Sequence, residues 1–290
     1  DYYDCLYYMA KMQEFYQDNA AGFHIVEPKA IWKLYTETAY EMDSFYRHFH
    51  YAFGNSLKNS NVLLEDKLKH SAEYVEALYQ NWYLKELTGC WTNAISENLS
   101  SLGYVSEIGK QHDFYPRYVR PLAGKNSRAF VIISDALRYE VAAELCDTII
   151  RTTKGTAKLD AVQSIFPSIT KFGMANLLPG RKLSVTEDME VLVDGQHSRS
   201  TPEREKILCS GNPNSVAVQY TDVLNMKRAD RRELVSGKEV VYIYHNTIDA
   251  IGDKAPTEKK VFEACEDAMQ ELSNILRIII NDMPGTDIFI

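Results

Sequence analysis

No window of about 18 apolar residues occurs in the sequence, so it holds no obvious helix able to cross a membrane. Nor does it open on a leader of the secretory kind. The five cysteines, Cys5, Cys90, Cys146, Cys209 and Cys265, are scattered, and no Cys-x-x-Cys pair occurs. That excludes a zinc ribbon and a dithiol redox motif, and it fits reduced thiols in a cytoplasmic protein. Surplus positive charge is missing too. A net charge of −8 argues against nucleic-acid binding driven by overall charge, though not against a local basic groove. No Gly-x-Gly-x-x-Gly follows the strand at Val131, which excludes a dinucleotide-binding turn there. Internal repeats and low-complexity segments are absent.

What is present is ordinary globular material, 45% hydrophobic and 25% charged over 290 residues, enough for one large domain or two smaller ones. The front part has helical periodicity. Tyr3–Asn19 reads as one helix. Pro28 suits the first turn of a second, along which Ile31, Tyr35, Thr38, Met42, Phe45, Phe49 and Ala52 recur at spacings of four and three, with Gly54 as its stop. A third helix is expected over Asn61–Leu87, burying Leu64, Leu68, Val75, Leu78 and Trp82, with Gly89 past its end, and a fourth over Trp91–Leu102, ending at Gly103. Fifteen of the 19 tyrosines precede residue 120. They suit either base stacking on a single strand or, more simply, the aromatic core of a bundle. The segment His112–Lys125, with two prolines and no periodicity, reads as the connection between domains. The division expected is therefore a helical domain over 1–120, a linker over 121–128, and a second domain over 129–290.

From Ala129 the texture alternates between strand and helix. Phe130–Ile133 and Glu239–Tyr244 are apolar runs of the kind buried on both faces of a parallel sheet. Strands are also expected at Leu159–Phe166, Val216–Tyr220 and Asp287–Ile290, with a hairpin in Lys182–Val193. Helices are expected at Ala136–Ile150, Ser168–Leu178, Glu203–Cys209, Arg228–Val235 and Pro256–Asn281. Strands separated by helices predict an α/β fold with a doubly wound, mostly parallel sheet.

Three stretches carry chemistry. Asp135 follows the first buried strand, at the sheet edge where ligands bind in open α/β folds; alternatively it is the N-cap of the next helix. In Phe166–Gly180, Pro167 and Ser168 start a helix, and Thr170 lies in its first turn, a place suited to an anion such as phosphate or to a hydroxyl nucleophile near a metal. The structural alternative is a capped helix with both hydroxyls inert. In His245–Lys254, directly after the second buried strand, His245, Asp249 and Asp253 fall within nine residues. A histidine and carboxylates in a glycine-bearing loop suit a divalent metal, and a polar turn is the alternative.

These blocks, SDALRYEVAAEL, FPSITKFGMANLLPG and YHNTIDAIGDKAPTE, resemble in order the three blocks of the PglZ domain, a branch of the alkaline phosphatase superfamily, over about residues 128–290. The helical region ahead resembles larger PglZ proteins of bacterial phage-exclusion (BREX) operons. The resemblance implies an alkaline-phosphatase-type α/β domain and a phosphoric-ester hydrolase with two metals, usually zinc, with manganese or magnesium as alternatives. It makes Asp135 a ligand near the nucleophile, Thr170 the nucleophile, and Asp249 with Asp253 a ligand pair, Ser168 lying beside the substrate. Asp253 stands where many relatives have histidine, so His245 supplies the imidazole or the pair is all-carboxylate. The superfamily's Asp-His-Gly block would follow the strand that starts at Asp287, so the sequence reads as a fragment with an incomplete metal site. The activity implied for the complete protein is hydrolysis of a phosphodiester, nucleic acid or nucleotide, through a phosphothreonine. The alternative is a non-catalytic scaffold that binds other defence proteins, such as a DNA methyltransferase.

Overall fold

The computed structural model describes residues 1–58, 62–123, 127–153, 155–252, 260–283, 285 and 287–290, with the backbone alone at 62–65. The helices are α1 (Tyr2–Asp18), α2 (Pro28–Leu34), α3 (Tyr40–Lys58), α4 (Val62–Glu76), α5 (Lys85–Leu102), α6 (Tyr139–Thr152), α7 (Thr170–Asn176), α8 (Thr201–Gly211), α9 (Tyr220–Asn225), α10 (Arg228–Leu234), α11 (Thr247–Gly252) and α12 (Val261–Asp282). The strands are β1 (Ala129–Ser134), β2 (Leu183–Val185), β3 (Val191–Val193), β4 (Gln196–His197), β5 (Ser215–Gln219), β6 (Val240–His245) and β7 (Asp287–Phe289). The chain divides into two units. One takes Asp1–Glu107, Arg138–Ala161 and Lys259–Cys265; the other takes Ile108–Leu137, Val162–Glu258 and Glu266–Ile290.

In the helical unit, two expected breaks do not occur. Helix α3 runs through Gly54, and α5 runs through Gly89 to Gly103, whose φ of +72° makes it the true C-cap. A Cβ at Gly54 or Gly89 would meet nothing within 4 Å, so neither glycine is there to end a helix. Each long helix instead carries a wide π turn, Tyr35–Ala39 between α2 and α3 and Ala77–Leu84 between α4 and α5. An inserted residue rotates everything beyond it on the helix. Hence Ala39 and Tyr46 are buried where a strict α seam put Thr38 and Phe45, and Tyr83 is buried where it put Trp82. The tyrosines belong to this core: Tyr46 stacks on Tyr79 with ring centroids 3.8 Å apart, and Tyr83 is fully buried.

Charge is buried among them. Asp43 accepts hydrogen bonds from the Tyr35 and Tyr79 hydroxyls, each at 2.8 Å. Burial raises its pKa, and the two phenols partly offset that. Arg47 on α3, 0% exposed, ion-pairs with Glu144 on α6 and lies 3.8 Å from Glu140, itself 1% exposed. Burial pushes the Glu140 carboxyl up. It pushes Glu144 up as well, but the His48 hydrogen bond at 3.0 Å and the Arg47 charge outweigh it and bring Glu144 down to about 2.

The other unit is built on a parallel four-stranded sheet in the order β5-β6-β1-β7. Ala129, Val131 and Ile133 of β1 and Val240, Tyr242 and Tyr244 of β6 share one face, packed with Phe172, Met174 and Leu178 from and after α7. Their alternates Phe130, Ile132, Val241 and Ile243 are buried too, which explains the unbroken apolar runs. A separate antiparallel sheet, β2-β3-β4, contains the expected hairpin.

Several expectations are corrected here. Leu159–Phe166 forms no strand; its one bridge pairs Gln163 with Lys110. The segment His112–Lys125 is no free linker where described. Gln111–Asp113 makes a 3-10 turn, Tyr115–Val119 a π turn, and Tyr115 and Val119 are buried in the core of the sheet unit. The first change between the two compact units falls at 107–108, and the helix following β1 counts with the helical unit. An apolar pair in a proline-containing loop gave no periodicity from which to read this.

Candidate active site at the sheet edge

Strands β1 and β6 end together: Ser134 is in register with His245, and the Asp135 N–H donates to the His245 carbonyl at 2.8 Å, one step past the ladder. Asp135 is half-buried. The next residue, Ala136, takes a φ of +60°, a left-handed conformation that costs a non-glycine residue about 1 kcal/mol or more. Its N–H donates to Asp135 Oδ1 at 3.1 Å. Helix α6 starts only at Tyr139, with Arg138 in the cap position, so Asp135 is not a helix N-cap.

Thr170 is the first residue of the short helix α7, preceded by Ile169 in the cap position; Ser168 lies ahead of the helix and does not cap it. The far end of α7 is anchored from below and beside. The Tyr242 hydroxyl donates to the Leu177 carbonyl at 2.8 Å, and Asn176, 4% exposed, bonds His112 at 3.1 Å. The supposed linker thus supports the helix that carries Thr170.

After β6 the chain turns into α11, which carries Asp249 in its first turn. Asp135, Thr170, His245 and Asp249 all line one cavity of about 910 Å³. Ser168 is exposed and is not among the described residues lining it; Asp253 lies outside the described residues.

His245 is 2% exposed, and both ring nitrogens are engaged. Nδ1 is 2.9 Å from Ser134 Oγ, and Nε2 is 2.8 Å from Glu271 Oε2 on α12 and 3.2 Å from Thr247 Oγ1. To bind a metal, the ring would give up one of these hydrogen bonds. Four described carboxylates line the cavity, Asp135, Glu205, Asp222 and Asp249; Asp135 and Asp249, the two expected as ligands, offer hard oxygen atoms that fit zinc, manganese or magnesium.

Other lining residues gave no signal in the sequence. Arg204 on α8 donates from Nε to the Ser198 carbonyl at 2.8 Å and from Nη2 to that of Arg199 at 3.1 Å. Its guanidinium carbon sits 4.7 Å from the centre of the Tyr244 ring. Burial raises the Tyr244 hydroxyl pKa, against the pull of the Arg204 charge. Lys206 and Arg199 add positive charge to the same cavity, and Glu205 is held by the Ala217 N–H at 2.9 Å. Arg204 sat in a charged helix and Tyr244 in an apolar strand, and neither pattern marks a site.

A family model described as the BREX system PglZ alkaline phosphatase-like domain matches residues 114–290. The chain belongs to the PglZ family. The match begins ahead of residue 128, in agreement with the place of the Tyr115 segment in the sheet core. Relatives share the helical part as well. The chain is 38% identical over 294 residues to the alkaline phosphatase-like protein BrxZ of Escherichia coli O9:H4 (strain HS), covering 99% of this chain and 33% of that protein. It is 36% identical over 292 residues to the alkaline phosphatase-like protein PglZ of Bacillus cereus (strain H3081.97), again 99% and 33%. The chain thus spans about a third of the length of these curated relatives. Among the described residues, no helix is long and apolar enough to cross a membrane.

Proposed function

We propose that the cavity at the edge of the parallel sheet is the site of a metal-dependent phosphoric-ester hydrolase that acts on a phosphodiester in antiphage defence. The observation that carries this reading is the convergence of Asp135, Thr170 and Asp249, from three separate segments, on one cavity. Asp135 and Asp249 would hold the cation; Asp253, expected as a further ligand, lies outside the described residues. When bound, a divalent ion, zinc in the first instance, would neutralise phosphoryl oxygens and lower the pKa of a nearby hydroxyl. Thr170 Oγ1 attacks phosphorus; its bond to phosphorus forms as the bond to the leaving oxygen breaks, and the hydroxyl proton passes to solvent. Arg204 and Lys206 offset charge on an anionic substrate. The proposal keeps the doubly wound sheet expected from the strand–helix alternation. It places the protein in the cytoplasm among other BREX components, a DNA methyltransferase being one candidate partner.

The test uses the full-length protein with bis(p-nitrophenyl) phosphate in zinc or manganese, against Thr170→Ala. Turnover should fall about a thousandfold or more in the variant, the scale seen when a nucleophile is removed. Unchanged turnover excludes Thr170. A second reading, a non-catalytic scaffold, is favoured by one observation: the buried imidazole of His245 is committed to internal hydrogen bonds. A folded full-length protein inactive with every divalent metal would select it.

A further inference from the structure

The polar chain behind the carboxylates is built to a single pattern. A carboxylate only accepts, so Glu271 Oε2 takes the Nε2–H of His245, at 2.8 Å. That leaves Nδ1 of the neutral ring to accept the Ser134 hydroxyl hydrogen at 2.9 Å. The Thr247 hydroxyl donates to the same Glu271 oxygen at 2.6 Å, a short charge-assisted bond that fixes the carboxylate from a second side. Tyr220 closes over the imidazole edge-on, with ring centroids 4.9 Å apart. Each member sits next to something the site uses. Ser134 precedes Asp135; the His245 carbonyl accepts the Asp135 N–H; Thr247 opens the helix that carries Asp249.

We propose that Glu271 is a positioning residue of this site. Through His245 and Thr247 it locks the ends of β1 and β6 together, and so sets the spacing of Asp135 and Asp249 across the cavity. The inference rests on the functional reading above for the purpose of that spacing, but the lock itself is independent of it. Glu271 is 26 residues from His245 in sequence, on a long amphipathic helix with other acidic residues, and does not line the cavity. Its role is to act through others. Residues that orient a metal's direct ligands through hydrogen bonds commonly matter by about 10- to 100-fold in affinity.

The experiment uses the full-length protein and two readouts: Mn²⁺ affinity by calorimetry, and metal-free hydrogen exchange in the peptide containing Asp135. Glu271→Ala should weaken Mn²⁺ binding by about 10- to 100-fold. It should also speed exchange at the Asp135 amide several-fold, because that N–H rests on the His245 backbone. Glu271→Gln, whose amide oxygen still accepts from Nε2–H, should restore most of both; a loss as large as in Glu271→Ala would overturn orientation by this hydrogen bond. A folded Glu271→Ala protein with unaltered Mn²⁺ affinity overturns the positioning role, whatever its exchange does. Should that variant fail to fold, Ser134→Ala takes its place: it removes only the Nδ1 partner and should accelerate exchange in the same peptide, and slow exchange there sinks the proposal. If the unaltered protein binds no divalent metal, the functional reading fails, while the exchange data still decide whether the lock exists.

Discussion

The two units treat polar groups in opposite ways. The helical unit takes charge into its interior: Asp43 between two tyrosine hydroxyls, and Arg47 with Glu140 and Glu144. The sheet unit keeps its interior apolar and places its ionisable groups where the strands stop, at Asp135, His245 and the turn carrying Asp249. The physical reason lies in the backbone. A strand buried on both faces leaves no room for a side-chain charge until it ends. A helix with a π turn can swing a phenol or guanidinium onto a buried partner. Buried charge in the first unit therefore concerns uniqueness and stability of packing, whereas charge at the sheet edge lines a cavity. Backbone strain does not follow this division: the left-handed Ala136 sits beside Asp135, but His24 and Glu107 in the helical unit are left-handed too.

The contrast is open to direct attack. Its largest expected effect is the loss of turnover in Thr170→Ala with little change in melting temperature; a variant that unfolds instead would mean that the edge residue is structural. Next, Arg47→Ala in the helical unit should cost about 3–5 kcal/mol in chemical denaturation, because it leaves buried carboxylates without their counter-charge. A loss below 1 kcal/mol would show that the network contributes little and blur the distinction. Asp135→Asn should behave in the reverse manner. Divalent-metal affinity in the full-length protein should drop by about 100-fold, since a direct ligand ought to matter at least as much as a residue behind it. Stability without metal should hold, and an unaltered metal titration would remove Asp135 from the ligand set.

A smaller effect is expected from acid. Glu144 has a folded pKa of about 2, below the ordinary glutamate value of 4.5. Its contribution is therefore complete above 4.5 and disappears as the pH falls through 2. The half-buried Asp43 and the buried Glu140, whose pKa values are raised, act in the opposite sense: they favour the folded state below their unfolded pKa and lose that contribution as pH rises through the folded one. Glu144→Gln should flatten the acid loss between pH 4.5 and 2 by on the order of 1 kcal/mol, a figure reduced because the side chain is a third exposed. Melting curves that change equally in both proteins would refute the assignment. Smallest of all, Gly54→Ala should stabilise the helical unit by about 0.5–1 kcal/mol, as it replaces a mid-helix glycine where a Cβ meets nothing within 4 Å. A destabilised variant would mean that the helix is not continuous there.

Much of the sheet unit was legible. The runs Phe130–Ile133 and Glu239–Tyr244 became adjacent parallel strands because continuous apolar sequence of that length has few other uses. Of the helix face Val261, Cys265, Ala268, Leu272, Ile275 and Ile279, all but the half-buried Val261 are buried as the spacing implies. Asp135, Thr170 and Asp249, picked from position relative to strands and from family resemblance, line one cavity. Other readings failed for local reasons. Gly54 and Gly89 looked like stops because glycine often is one, yet nothing at either position required a left-handed φ. The seam Tyr35–Thr38–Phe45 presumed 3.6 residues per turn, and the π turn changed the count. The start of α7 was placed at Ser168, two residues early, and Leu159–Phe166 lacked the neighbours that would have made it a strand.

By itself the sequence determined what depends on period and adjacency: which segments are helices, which are buried strands, and which acidic and hydroxyl side chains stand at their ends. Those follow from 3.6- and 2-residue repeats and from groups within a few positions of one another. Tertiary structure decided everything that rests on distance in space between residues far apart in the chain. It brought Thr170 to the cavity of Asp135 and Asp249, laid Arg204 over Tyr244, and joined Glu271 to His245 across 26 residues. A hydrogen bond leaves no periodicity in the sequence that makes it, so the partners of His245, Ser134, Glu271 and Thr247, are seen only in the fold.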